Sequence, residues 1–487
     1  MINQINNKNK VLLLISILAI IMGVFNGNYI VPIMFILTLA GASYFVDDDV
    51  YDTLYMVLLV SAFYDYALYV PKVSSIYMFH IVLGILSLLS LYKLIKDKTI
   101  FDKIDKKIIA IYIIWFIYMC LSITWCLSKS LSIKYIAIYL MMFAFIGNVM
   151  IYNISKERME KTFKIVLLLI SLITIVAFIE VLLGKQLPIK HYADEFMEFL
   201  PQKDQNQINA RPMAFSFNPN NLAATLAILM PFCYYAVYKM RSIVGKVWFT
   251  VISCISFILI GTTTSRTGYI AATIGIVIYC IYSICNIKNI GVKNLVFPVI
   301  LALCLALSYK YSYVVMNIKP VGGQEITQNG LSDKMHALEE QEITVGGEGS
   351  LNVRFTIIKD VVNGIVTDKK YQGYGVGNVE QFIKDQGNTG NIYSPHCYAV
   401  EILGDFGVFG ILLYGVYYLY LVIQNLILAV KYRSTKCFAA FAGLMIFAPA
   451  SFGPSSITYV FSYWLLMSIA ISCIQVYKRD TLQEIQT

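Results

Sequence analysis

At 487 residues, with 58% hydrophobic and only 14% charged side chains, the chain is far more apolar than a soluble domain, in which about a quarter of residues are charged. Together with a mean hydropathy of +0.68, that balance excludes an ordinary soluble fold. The net charge of +9 invites a nucleic-acid reading, which the distribution of the charges excludes: they cluster between apolar runs of roughly the 17 to 25 residues that cross a bilayer.

In chain order the runs predict fourteen transmembrane helices, near 11–25, 29–45, 53–70, 75–95, 108–126, 134–153, 163–184, 217–238, 246–262, 267–285, 293–311, 406–430, 436–450 and 457–477. The first run lacks a small-residue cleavage site and is followed at once by a second, so it reads as an uncleaved helix. If the N-terminus is cytoplasmic, the basic segments KLIKDKTIFDKIDKK, SKERMEKTFK, KMRSIVGK and KYRSTK all fall inside. The short outer loops then hold only Lys72, Lys129, Lys134 and Arg266. This bias puts both termini in the cytoplasm. Asp47-Asp48-Asp49 imitates a divalent-metal motif, but lies on the inner side, away from the other polar candidates. Most of the ten cysteines lie within apolar runs, where they act as small hydrophobes rather than a disulfide framework.

The expected organisation is an all-α integral membrane protein with two long extracytoplasmic loops, the second partly helical. N-terminal helices occupy 1–184, a first outer loop 185–216, central helices 217–311, a second outer loop 312–396, and C-terminal helices 397–487. In the first loop Asp194, Glu195 and Glu198 read as a solvated helix face. In the second, LSDKMHALEEQE predicts a short exposed helix capped by Ser332. VRFTIIKDVVNGIV predicts an amphipathic helix with Arg354 on the face of Ile358, Val361 and Ile365. An arginine on an apolar face needs an anionic partner or snorkels to lipid headgroups. GYGVGN at 373–378 imitates a nucleotide loop but lacks the strand–turn–helix context, so it reads as glycine turns. His80 reads as packed, and His191 and His336 as solvated. The absence of an internal repeat argues against an inverted-repeat transporter.

Three inward-running helices begin on the outer side beside polar groups. Arg211 and Asn218-Pro219-Asn220 precede the eighth, Ser265-Arg266 the tenth, and His396 the twelfth. Helix N-termini present free N–H groups and a positive dipole end, and arginines add paired donors, so together they suit phosphate. His396 has the residue type to accept a proton near neutral pH, with Glu401 or Asp405 expected to fix its tautomer. Gly404 and Gly407 are expected to break the segment 397–430, which is too long for one straight crossing.

The succession RPMAFSFNPNNLA (211–223), SRTG, RFTIIKDVV…YQGYGVGN and PHCYAVEILGDFGVFG resembles the O-antigen ligase/polymerase superfamily, bacterial membrane proteins that handle lipid-linked polysaccharides. The matching segments run from about 211 to 410. The resemblance implies an inverting, metal-independent glycosyltransferase with no cofactor, in the bacterial cytoplasmic membrane, acting on its outer face. The expected partners are undecaprenyl-diphosphate-linked oligosaccharides as donor and acceptor, membrane lipid, a chain-length regulator and a flippase, with no nucleic acid. Carried over by motif, Arg266 and Arg354 hold the diphosphate, with Arg211 as a third contact. His396 deprotonates or orients the acceptor hydroxyl; Glu401, Asp405, Asn218, Asn220 and Ser265 support the site. Two positions depart from the family: Cys397 stands where Asn usually follows the histidine, and Gly364 comes one residue early in an Arg–x10–Gly signature. The expectation is a surface-polysaccharide polymerase, with a ligase of finished glycans as the alternative. A transporter or flippase of lipid-linked oligosaccharide should carry charges deep in its helices, whereas these candidates share one face.

Overall fold

A computed structural model of the chain describes residues 6–194, 197–286, 295–323, 330–340, 343–347 and 349–486. The chain is almost entirely helical, and each predicted run coincides with a helix. The first half contains α1 Asn7–Phe25, α2 Ile30–Ala42, α3 Val50–Tyr64, α4 Met78–Lys96, α5 Lys106–Ser122, α6 Lys129–Tyr152, α7 Lys156–Leu183 and the short loop helix α8 Gln202–Asn209. Then follow α9 Pro219–Lys239, α10 Ile243–Thr262, α11 Arg266–Cys285 and α12 Val296–Met316. The second loop carries α13 Leu331–Glu340, α14 Ser350–Val366 and α15 Val379–Gln386, and the chain closes with α16 Tyr398–Lys431, α17 Thr435–Ala450 and α18 Phe461–Gln486. A small antiparallel hairpin between α3 and α4, β1 Tyr69–Val70 and β2 Val73–Tyr77, was not anticipated.

Among the described residues, nine helices are long and apolar enough to cross a membrane: α1, α4, α6, α7, α9, α10, α11, α12 and α16. The fourteen expected crossings are therefore fourteen helices, of which nine meet that requirement. Packing explains why some of the others are short. Every residue of α3 from Tyr51 to Tyr64 is buried, and α17 packs against α9, α11, α16 and α18. A helix wrapped by protein is apolar all round without having to match the bilayer. On α16, by contrast, Leu412, Val416, Leu419, Ile423 and Val430 are exposed, whereas Tyr414, Tyr417, Leu421 and Leu428 are buried. An exposed apolar stripe at helical spacing is unfavourable in water and indifferent in lipid, as expected of an integral membrane protein.

A second, smaller core lies apart from the bundle. Ile357, Val361 and Ile365 of α14 pack with Tyr374, Val379, Phe382 and Ile383, and with Cys397 and Val400 at the start of α16. This cluster holds the second loop onto α16, with Arg354 at one end of the buried α14 face and His396 beside the other contributor. The helix α13 begins at Leu331, so Ser332 lies within its first turn and is not its cap; its hydroxyl turns to Asp333.

The expected break in α16 occurs at Gly407, with φ 64° and ψ −156°, whereas Gly404 remains helical. A Cβ on Gly407 would collide with the Tyr371 carbonyl, so neither the dihedrals nor the space admit a side chain. The backbone groups freed at the break bond to residues 371–375, at the start of the GYGVGN segment: Val408 N–H donates to Tyr371 O, Tyr374 N–H to Gly404 O, and Gly375 N–H to Asp405 O. That segment is a set of structural turns, as its lack of nucleotide-loop context predicts. In the Asp47-Asp48-Asp49 motif, Asp49 accepts from the Tyr51 and Asp52 amides at the start of α3, and Asp47 pairs with Lys161 at 2.5 Å.

Candidate functional site

Three helix starts build the site. At α9, Asn218 caps the helix by accepting from Asn221 N–H at 2.8 Å, and Pro219 takes the first helical position, where its missing N–H costs nothing. At α11, Ser265 accepts from Gly268 N–H. Only Thr263, Thr264 and Ser265 join α10 to α11, and Thr264 has φ 56°, in the left-handed position that usually holds glycine after a helix. At α16, Cys397 is the cap and contributes no side-chain hydrogen bond. An asparagine there would have the oxygen to make one, so the departure at Cys397 leaves the helix start without its usual acceptor.

A cleft of about 520 Å³ lies between these starts, lined by Arg211, Asn218, Asn220, Thr264, Lys334, Tyr393, His396 and Ser455 among others. It brings together Arg211, Asn218, Asn220 and His396. Ser265, Arg266 and Arg354 lie beside this lining rather than in it. The Arg266 guanidinium donates to the Lys334 carbonyl at 3.4 Å and to Ser350 Oγ at 3.1 Å. Arg354 donates to the Phe452 carbonyl at 2.9 Å. Among the described residues, no carboxylate forms an ion pair with Arg211, Arg266, Lys334 or Arg354.

The electrostatics follow from crowding like charges in a half-buried space. Burial, then the neighbouring Arg266, lowers the pKa of Arg354. Burial, then Arg211 and Arg266, pushes Lys334 down to about 7. Burial, then Arg354, pushes His396 down to about 4, so its imidazole is neutral at physiological pH. The ring Nδ1 of His396 faces the Gly453 carbonyl at 3.3 Å. A carbonyl can only accept, so Nδ1 carries the hydrogen and Nε2 keeps its lone pair.

That partner corrects the expectation for Glu401 and Asp405. Glu401, 4% exposed, accepts from Ser456 Oγ at 2.6 Å, Thr458 Oγ1 at 2.9 Å and Ile457 N–H at 3.3 Å. Asp405, 1% exposed, accepts from Gly377 and Val379 N–H at 2.7 and 2.8 Å and thereby caps α15. Neither carboxylate bonds to His396. The residue has φ 50°, which takes it out of the helical path, so spacing along α16 does not set its neighbours.

Sequence reasoning missed two contributors. One is Lys334, on the helix α13 that was read only as exposed. The other is the α17–α18 loop, where Phe452, Gly453 and Ser455 supply carbonyls to Arg354, His396 and Ser394. The density of Gly, Pro and Ser in SFGPSS between two apolar runs was the available signal. His191 is buried rather than solvated. His336 is exposed, and His80 Nδ1 accepts from Tyr77 N–H at the start of α4. Asp194 and Glu198 are exposed, and Glu195 lies outside the described residues.

Residues 250–415, which include Arg266, Lys334, Arg354 and His396, match a family model described as O-antigen ligase. The chain is also 23% identical over 462 residues to the teichuronic acid biosynthesis protein TuaE of Bacillus subtilis (strain 168), across 92% of this chain and 88% of the relative. Both matches support the resemblance to the O-antigen ligase/polymerase superfamily, the family model over the segment that carries Arg266, Lys334, Arg354 and His396 and the relative over nearly the whole chain.

Proposed function

We propose that the protein is a membrane glycosyltransferase that polymerises lipid-diphosphate-linked repeat units of a bacterial surface polysaccharide, of O-antigen, capsule or teichuronic-acid type. The observation that carries this reading is a neutral histidine with a free Nε2 beside four half-buried cations that have no acidic partner among the described residues. Such a set favours a ligand with several phosphoryl oxygens next to a hydroxyl. The teichuronic acid relative supports a surface-polysaccharide substrate along nearly the whole chain.

In the proposed reaction an acceptor hydroxyl attacks C1 of the donor sugar from the face opposite its undecaprenyl diphosphate. The new C–O bond forms as the C1–O bond to diphosphate breaks, the electron pair leaves with the diphosphate, and the hydroxyl proton passes to His396 Nε2. Attack from the opposite face inverts C1. Arg266, Arg354 and Arg211 stabilise the charge that develops on the leaving group. The incoming anion also offsets the Arg354 charge that weakens His396, so the base strengthens once the donor is in place. The proposed setting is the bacterial cytoplasmic membrane, with both termini inside and the cleft outside. A flippase supplies substrate and a chain-length regulator acts beside the enzyme.

The family description, O-antigen ligase, favours a second reading, transfer of a finished glycan to a terminal acceptor. Gel analysis of a deletion strain separates the two. Single repeat units on a capped acceptor are expected for the polymerase; long lipid-linked chains left untransferred would establish the ligase instead.

A further inference from the structure

Lys334 belongs to none of the motifs that carry the family resemblance, yet it lines the cleft with Arg211 and His396. Two bonds place it. Its ammonium donates to Thr264 Oγ1 at 2.7 Å, and its backbone carbonyl accepts from Arg266. Thr264 is held in the left-handed region, which a β-branched residue adopts only under strain; the hydroxyl it presents to Lys334 gives that conformation a use. On the same cleft, Arg211 has a buried Nε with no hydrogen-bond partner among the described residues. A buried donor without an acceptor, beside a second cation without a counter-ion, marks space for an anion.

We propose that Lys334, with Arg211 and anchored by Thr264, forms a phosphoryl subsite that grips the diphosphate from the cleft side, so that α13 closes the donor site over Arg266. The proposal rests on the reading of the site as a lipid-diphosphate transferase and adds to it a cation from the second loop. Binding charges Lys334 and satisfies Arg211 Nε. The charged groups acting on the ammonium are Arg211 and Arg266; the other titratable groups on the cleft lining are His396, Tyr192 and Tyr393.

The test is inorganic diphosphate binding to the full chain in nanodiscs, followed by calorimetry from pH 6 to 9. Lys334→Ala and Lys334→Gln should weaken binding about ten- to hundredfold, the loss of contacts to a charged donor. Thr264→Gly relieves the backbone while removing the anchor, and should weaken it about fivefold with the fold intact. In the wild type, affinity should fall above pH 7, by at most about tenfold per unit, because binding then requires proton uptake by Lys334. Lys334→Arg should abolish that fall. Diphosphate itself gains charge as pH rises, which pushes the other way and leaves the arginine variant flat or rising. Nanodiscs with and without phosphatidylglycerol separate the sources of phosphate. Equal binding in both supports the diphosphate subsite, whereas loss of binding on adding that lipid would reassign it to headgroups and overturn the proposal. Unchanged binding in Lys334→Ala and Lys334→Gln, or no binding by the wild type, would also overturn it. The readout needs no glycosyl transfer. Normal polymer from a His396→Ala strain would overturn the proposed reaction while leaving a Lys334-dependent diphosphate site standing.

Discussion

His396 illustrates how a single residue is specified by its surroundings. Its ring hydrogen is committed to the Gly453 carbonyl, and burial, then Arg354, keeps the ring neutral. His396→Ala and Arg354→Ala are predicted to abolish chain growth, read as loss of long polymer on gels, with the protein still inserted at normal levels. The sign of the pH dependence follows from the lowered pKa. Nε2 is available at any pH above about 4 in the free enzyme, so the acid limb of kcat/KM should lie well below the ordinary histidine value near 6.5. A limb at 6.5 would show instead that burial and Arg354 do not hold the imidazole below its ordinary value in the free enzyme. Beside it, Cys397 leaves α16 without a side-chain cap. Cys397→Asn should raise stability by about 1 kcal/mol in detergent thermal unfolding. A lower melting temperature would show that the cluster with Val400 and Ile383 does not admit an amide.

At the scale of elements, the site is held together by a loop that itself does no chemistry. Glu401, one turn into α16, takes three donors from residues 456–458. Earlier in the same loop, Phe452 and Gly453 supply the carbonyls bonded by Arg354 and His396. Glu401 thus ties the start of α16 to this loop. Glu401→Gln is predicted to lower turnover on the order of tenfold, since a displaced carbonyl misplaces the base, while diphosphate binding through Lys334 persists. Wild-type turnover in that variant would detach the loop from the site. The α16 break is a second such device. Gly407→Ala must both adopt a positive φ and displace the Tyr371 carbonyl, and should destabilise the protein by more than about 2 kcal/mol.

Across the whole molecule, the three helix starts that form the cleft share one end of the bundle, and the basic segments lie in other loops. Reporter fusions at 200 and 340 are therefore predicted to be extracytoplasmic; cytoplasmic signals at both would invert the topology and with it the proposed site of polymerisation. The protein carries apolar surface outside as well as inside, with α9 and α17 at its centre. The loops that leave these two helices, at Asn218 and at Phe452, meet at the cleft.

By itself the sequence determined the positions of the helices, their membrane character, the amphipathic face of α14, the break at Gly407 and the three helix starts, two of them capped. All of these depend on local signals: hydropathy over one crossing, helical period, and the few residues of a cap or turn. Only the tertiary structure decided which side chains meet. Glu401 and Asp405 are close to His396 in sequence but bond to segments 55 and 28 residues away, and Lys334 reaches Thr264 across 70. Such partnerships depend on how distant helices pack. Once a bundle has enclosed a polar group, it must bond to whatever donor or acceptor the packing brings near, and no local pattern records which one that is.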